Sequence, residues 1–291
     1  MGYLDTSVVV IFGGSSGIGK ECALLFAKHG GQIILIARRQ AELEEVVNEI
    51  RHQNGKAEAF IADVTNPDVL HNVAGAIKDK YGKLDVLIYS AGAFHLSPAE
   101  TLDIQIARKV MDVNYWSALH VTQVFLPLLR TGSQKSLVFI SSLSVPCTPA
   151  FFTAYAAPKH ALHGFTLALR QELAPDGIHV AEVYPGPVYT PLIEEHIHQA
   201  MYRVPPGIPV INPETVAKGV FKTIMKRRKE LVIPKRLSVI ARLSSAFPCL
   251  IGSYYRLSIR GWTKGLQVAD RKVNGADSET VPPAEPEFLE P

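Results

Sequence analysis

The sequence predicts an α/β chain built on a doubly wound parallel sheet of about seven strands, flanked by helices and followed by an amphipathic helical extension. Three observations carry this. Short β-branched apolar runs alternate with longer segments of helical period along most of the 291 residues. The runs are apolar throughout rather than at alternate positions, which suits strands covered on both faces. A glycine-rich turn follows the first of them. Such alternation implies parallel pairing with right-handed crossovers, and a hydrophobic content of 47% is enough for one sizeable core.

The elements follow in order. "SVVVIF" is the first buried strand, then comes the turn and a helix through about Lys28. "QIILIA" is the second strand, and "AELEEVVNEIRHQ" is a helix with Leu43, Val46, Val47 and Ile50 on one face. "AEAFIA" and "LDVLIYS" are further strands separated by the helix "PDVLHNVAGAIKDKYG". A long helical pattern spans roughly Asp103 to Leu129, followed by the strand "SLVFIS". In the next helix Pro158 predicts a start at about Ala154 or Tyr155. A proline in the first turn lacks an N–H that would have had no partner there, whereas deeper it costs ~3 kcal/mol. "IHVAEVY" is a strand, Asn212 and Pro213 open another helix as N-cap and first residue, and "LVIP" is the last strand. The division expected is a nucleotide-binding catalytic domain over 1–235, a basic apolar helical extension over 236–268, and a disordered acidic, proline-rich tail over 269–291.

A net charge of +3 excludes no partner class by itself. The three cysteines, Cys22, Cys147 and Cys249, are odd in number and far apart, which predicts neither a disulfide framework nor a metal site and suits a reducing compartment. The N-terminus runs into a strand without a signal-peptide pattern, so a cytoplasmic protein is expected. Twelve Lys or Arg and one acid lie between Lys218 and Lys264. They sit among aliphatic blocks with no nucleic-acid motif, so nucleic acid is not expected as a partner. Basic residues flanking apolar blocks suit peripheral contact with the cytoplasmic face of an anionic membrane, and equally a subunit interface or a cap over the substrate pocket.

In "FGGSSGIGKE", Gly13, Gly17 and Gly19 permit a tight turn, close approach of backbone to a pyrophosphate, and close helix packing; Ser15, Ser16 and Ile18 complete it. The helix start behind the turn offers free N–H groups to phosphates. After the second strand, where an NAD-binding chain places an acid for the ribose 2′-hydroxyl, stand Arg38 and Arg39. Guanidinium groups suit a 2′-phosphate, so NADP(H) is the expected cofactor, with Ser15 as an added contact. Asp63 and Val64, after the third strand, are expected to flank the adenine.

The chain from about Ser7 to Ile233 resembles the short-chain dehydrogenase/reductase family, on the evidence of "GGSSGIG", "YSAG" (Tyr89 to Gly92), Asn114 in "VNYWS", Ser142 in "ISSLS", "YAAPK" and "YPGPVYT". Ser142 lies 13 residues before Tyr155, as in the family pattern. The resemblance implies a Rossmann fold, a homodimer or homotetramer, and no metal in the chemistry. It implies a catalytic set of Asn114, Ser142, Tyr155 and Lys159, with Tyr155 as acid/base. Ser142 would hold the substrate oxygen, Lys159 the nicotinamide ribose, and Asn114 a water linking Lys159 to solvent. Ser90, Ala91, Gly92, Pro185, Gly186, Val188 and Thr190 would complete the cofactor site. A free tyrosine has a pKa of about 10, and moving it towards 7 needs ~4 kcal/mol; a buried ammonium one helical turn away is a source. Phe12 replaces the family's usual Thr, and Tyr89 and Ser90 replace its paired asparagines, residues that bond neighbouring backbone. His196 and His198 read as exposed lid residues. The pocket lining, Phe94, Leu143 and Phe152 with Ser142 and Tyr155, is mostly apolar and predicts a lipophilic substrate. "FTAYAAPK" and the basic apolar C-terminal segment look similar to 3-ketosphinganine reductases. The alternative is a nicotinamide sensor or scaffold that kept the fold and lost turnover.

Overall fold

The computed structural model describes residues 4–193 and 208–246. Seven strands form one parallel sheet in the order β3-β2-β1-β4-β5-β6-β7: β1 Val8–Phe12, β2 Gln32–Ala37, β3 Lys56–Ile61, β4 Val86–Tyr89, β5 Ser136–Ile140, β6 His179–Pro185 and β7 Glu230–Ile233. The helices are α1 Gly17–Lys28, α2 Gln40–His52, α3 Pro67–Tyr81, α4 Ile104–Met111, α5 Ser117–Arg130, α6 Thr153–Glu172, α7 Pro213–Met225 and α8 Leu237–Ala246. Every residue of β1, β4, β5 and β6 is buried, as continuous apolar runs demand.

Alternate strand residues feed two cores. Val8, Val10, Phe12, Leu87 and Tyr89 pack with Leu70, Ile77, Val121 and Phe125 of α3 and α5. Val9, Ile11, Val86 and Ile88 pack with Phe26, Val220 and Ile224 of α1 and α7. The strand order reverses between β1 and β4, leaving a crevice at the carboxyl ends of the strands, where open α/β sheets place ligands.

Two elements differ from the sequence expectation. The helical pattern from Asp103 to Leu129 is interrupted by a π-helical turn, Asp112–Trp116, between α4 and α5. Pattern reading misses it because one inserted residue barely disturbs the apolar stripe. Helix α6 begins at Thr153, so Pro158 stands past the first turn, where its ring removes a bond to the Ala154 carbonyl. The Phe152 carbonyl starts the helix instead, accepting from Tyr155 N–H at 3.0 Å and from Ala156 N–H. Tyr155 therefore lies in the first turn and Lys159 in the second.

The expected extension is helical from Leu237 to Ala246, and residues 247–268 and the tail lie outside the described residues. So do His196 and His198. The segment that contains them leaves and returns side by side, because Val188 bridges Ile211, and Tyr189 N–H donates to the Ile211 carbonyl at 3.0 Å.

Candidate active site

One cavity of about 420 Å³ occupies the crevice, bounded by the glycine turn, the ends of β2 to β6 and the start of α6. It brings together Gly13, Ser15, Ser16, Gly17, Ile18, Arg38, Arg39, Asp63, Val64, Ser90, Ala91, Gly92, Phe94, Asn114, Ser142, Leu143, Phe152, Tyr155, Lys159, Pro185, Gly186, Val188 and Thr190. Of the sequence-predicted residues only Gly19 stays off its wall. A Cβ at Gly19 would lie 2.1 Å from the Gly13 carbonyl oxygen, so Gly19 lets α1 close on the turn. Gly13 adopts φ +75° with the Ala91 backbone against its α-carbon, where a side chain does not fit.

The two arginines divide at the nucleotide end. Arg39 donates to the Ser16 hydroxyl at 2.8 Å and to Ser15 at 3.1 Å, and pairs with Glu42 at 3.1 Å. Arg38 is more exposed and lies 3.9 Å from Asp63. Asp63 is committed chiefly to its own turn, accepting from Thr65 N–H at 2.8 Å and Thr65 Oγ1 at 2.7 Å. Arg39, more than Arg38, is thus fastened to the glycine turn.

The residues present fit a nicotinamide dinucleotide. Ser16, the N-cap of α1, makes no capping bond, so the N–H groups of the first turn remain available to an anion beside Ser15, Ser16 and Arg39. Farther in, Asn114 Oδ1 is buried with no hydrogen-bond partner among the described residues, while its Nδ2 donates to the Ala93 and Val110 carbonyls at 2.7 and 2.8 Å. That fixes the carboxamide with its acceptor oxygen free beside Gly92.

Tyr155 and Lys159 face the middle of the cavity. Lys159 is 3% exposed, donates to the Ile140 carbonyl at 3.1 Å, and places Nζ 5.6 Å from the Tyr155 ring centre. Burial pushes Lys159 down to about 8, opposed by the Glu182 carboxylate. Burial pushes the Tyr155 hydroxyl up to about 12, opposed by its hydrogen bond with Ser142. Ser142 Oγ accepts from Ser144 N–H at 3.1 Å, which leaves the hydroxyl proton to donate. Burial thus outweighs the Ser142 bond and holds the Tyr155 hydroxyl above its ordinary value.

The outer chamber is apolar. Phe94 stands edge-on to Tyr155 and Phe152, with ring centres 4.7 and 5.6 Å apart, and Ile193 packs beside them. On the opposite wall Leu237 and Ala241 of α8 pack on Leu143 and Cys147, and Ser244 meets Cys147 Sγ at 3.2 Å. Ile208 also lines the cavity; no motif marks it, and only the return of the chain beside Val188 brings it there.

The departures from the family pattern have structural partners. Phe12 packs on Phe125 at 5.2 Å and on Tyr89 at 6.0 Å. The buried Tyr89 hydroxyl donates to the Val113 carbonyl at 2.6 Å, which ties β4 to the π turn that carries Asn114. Tilted and edge-on aromatic contacts and one long-reaching hydroxyl thus occupy the places of shorter polar side chains.

Comparison with known proteins agrees with this geometry. The short chain dehydrogenase family model matches residues 7–200. Dehydrogenase/reductase SDR family member 7B of Danio rerio is 32% identical over 240 residues, covering 79% of this chain and 78% of its own. Two crystal structures superpose with TM-scores of 0.71. One is a dehydrogenase/reductase from Sinorhizobium meliloti, 27% identical over 79% of this chain and 94% of that one. The other is an actinorhodin polyketide ketoreductase variant with NADPH, 28% identical over 80% and 97%. With a family model matching two thirds of its length and a relative of 32% identity over 79% of it, the chain belongs to the short-chain dehydrogenase/reductase family of oxidoreductases.

Proposed function

We propose that the chain interconverts a ketone and a secondary alcohol on a lipophilic substrate, prefers NADP(H), and uses Tyr155 as its acid/base. The observation that carries this is one continuous cavity. It joins the Arg39–Ser15–Ser16 cluster to Ser142, Tyr155 and Lys159, and these to an apolar chamber.

The nucleotide, when bound, donates or accepts the hydride. In the reducing direction Ser142 donates a hydrogen bond to the carbonyl oxygen and Tyr155 delivers the proton. Tyr155 is a held acid across the neutral range. In the oxidising direction it must act as a base, and the Lys159 ammonium favours that phenolate. Lys159 carries its charge below about pH 8 and loses it as pH rises through that value. Asn114 offers its free Oδ1 near Lys159 for a bridging water. Arg39, with Arg38 beside it, would hold the 2′-phosphate. Phe94, Leu143, Phe152 and Ile193 exclude water and hold an apolar substrate.

Residues 1–235 form the catalytic unit, the extension is assigned to 236–268, and residues 269–291 form the tail. Ile104 of α4, Trp116 of the π turn and Leu167 of α6, all exposed, supply apolar surface for a second copy. The decisive experiment follows NADPH oxidation with a panel of fatty-acyl, sphingoid and steroid ketones, for wild type and Tyr155→Phe. The variant is expected to lose turnover by about 10²- to 10⁴-fold, the usual worth of a general acid, while NADPH fluorescence titration shows retained binding. Tighter NADH than NADPH binding overturns the arginine assignment. Wild-type protein that binds NADPH and reduces no ketone favours the non-catalytic alternative.

A further inference from the structure

A second ionisable cluster lies behind the cavity wall, and the reaction as described leaves it unused. Glu182 on β6 is fully buried on the sheet face covered by α6. Its Oε2 accepts from the Tyr184 hydroxyl at 2.8 Å and lies 2.8 Å from His163 Nδ1. Tyr184 Oη and His163 Nδ1 are themselves 2.9 Å apart. Glu182 Oε1 is buried and has no hydrogen-bond partner among the described residues. A carboxylate half-satisfied in an apolar interior is expensive for a fold to keep, so it calls for a compensating role.

The topology supplies one. Tyr155, Lys159 and His163 recur at four-residue spacing and share one face of α6. That face lies on β5 and β6: Lys159 donates to the Ile140 carbonyl of β5, and His163 reaches Glu182 of β6. In the β5–β6 register Phe139 stands opposite Glu182 and Ile140 opposite Val183. Glu182 is therefore one residue along the sheet, and one turn along the helix, from the contact that seats Lys159.

We propose that Glu182, oriented by His163 and Tyr184, is a positioning residue for Lys159, its buried charge keeping the ammonium charged and seated on the Ile140 carbonyl. The proposal rests on the role assigned above to Lys159 beside Tyr155. Burial and the Glu182 charge act on Lys159 in opposite directions, so removing the carboxylate leaves desolvation unopposed. His163 modulates the effect. Its hydrogen bond with Glu182, helped by the charge there, raises its proton affinity against the opposing effect of burial, and a protonated imidazolium partly cancels the field at Lys159, while the neutral ring leaves it whole. The other charged groups facing the cluster are Arg170 of α6 and Glu230 of β7, which pair with each other at 2.7 Å. Tyr184, raised by burial beside Glu182, remains a hydrogen-bond donor throughout.

The test reads Lys159 directly. In nucleotide-free protein labelled with ¹³C,¹⁵N-lysine, the Lys159 resonance is assigned by its loss in Lys159→Met and titrated by NMR. Glu182→Gln is expected to lower the midpoint by about one pH unit, the scale on which a nearby opposite charge acts. Glu182→Asp, which keeps the charge but withdraws it by a methylene, is expected to give a smaller fall and covers the case in which Glu182→Gln does not fold. An unchanged midpoint in the folded variants overturns the proposal. In parallel, the alkaline limb of ketone reduction is expected to move down with the Lys159 midpoint. A shifted midpoint in a protein whose wild type reduces no ketone retains the electrostatic role and sinks the catalytic reading instead. A shifted midpoint with an unmoved alkaline limb in an active enzyme overturns the positioning role.

Discussion

At the scale of single residues, Tyr89 shows how a hydroxyl can replace a family motif by reach instead of identity. Tyr89→Phe keeps the ring contacts to Phe12 and Phe139 and removes the hydroxyl that bonds the Val113 carbonyl and Ser117. A buried acceptor left unpaired costs about 1–3 kcal/mol, so the melting temperature is expected to fall by roughly 2–10 °C for a chain of this size. A thermal melt unchanged within 1 °C by any such estimate would remove Tyr89 as the tie between β4 and the π turn. The sequence showed the substitution but not its partner, because Val113 lies 24 positions away and is brought there only by packing. The glycines, Ser142, Tyr155 and Lys159 were legible because their spacing is local and their chemistry leaves little choice of residue type. Glu182 was not: a single acid in "HVAEVY" resembles an edge position until the α6 face closes over it.

At the scale of elements, the strands were read well because a sheet covered on both faces needs uninterrupted β-branched runs. Helix interiors were less legible. The π turn at Asn114 preserves the apolar stripe, so nothing in the pattern betrays the extra residue, and such turns cluster at functional sites. Pro158 misplaced the start of α6 because its intrinsic preference for the first turn was overruled by the Phe152 carbonyl, which nucleates the helix earlier. Helix α1 offers the sharpest test. Gly19→Ala drives a methyl group to 2.1 Å from the Gly13 oxygen, a contact that only a backbone shift relieves. Loss of NADPH binding beyond about tenfold, or ~1.4 kcal/mol, is expected by fluorescence titration, with the secondary structure retained by circular dichroism. Unimpaired binding would show that the turn tolerates α1 moving outward.

At the scale of the whole molecule, the described part of the extension backs the cavity wall through Leu143 and Cys147 and presents an exposed face at once. The inner side of α8 holds Leu143 and Cys147, while Val239, Ile240 and Leu243 are 62%, 46% and 48% exposed on the other. Lys235 and Arg236 precede it. No helix among the described residues is long and apolar enough to cross a membrane. An apolar face with a basic border suits adsorption to an anionic surface. The full chain is expected to sediment with phosphatidylserine vesicles at low salt and to release as salt rises. Val239→Asp with Leu243→Asp is expected to abolish sedimentation, and sedimentation that persists in the double variant would place the contact elsewhere.

The anchoring of Arg39 has a further consequence. A long arginine side chain normally surrenders up to about 2 kcal/mol of rotamer freedom when it is fixed. Here Ser15, Ser16 and Glu42 have already fixed it, so that entropy is settled during folding and not at the moment of association. Under the NADP(H) preference proposed above, a 2′-phosphate would meet a guanidinium already ordered, and would gain its charge without ordering the group.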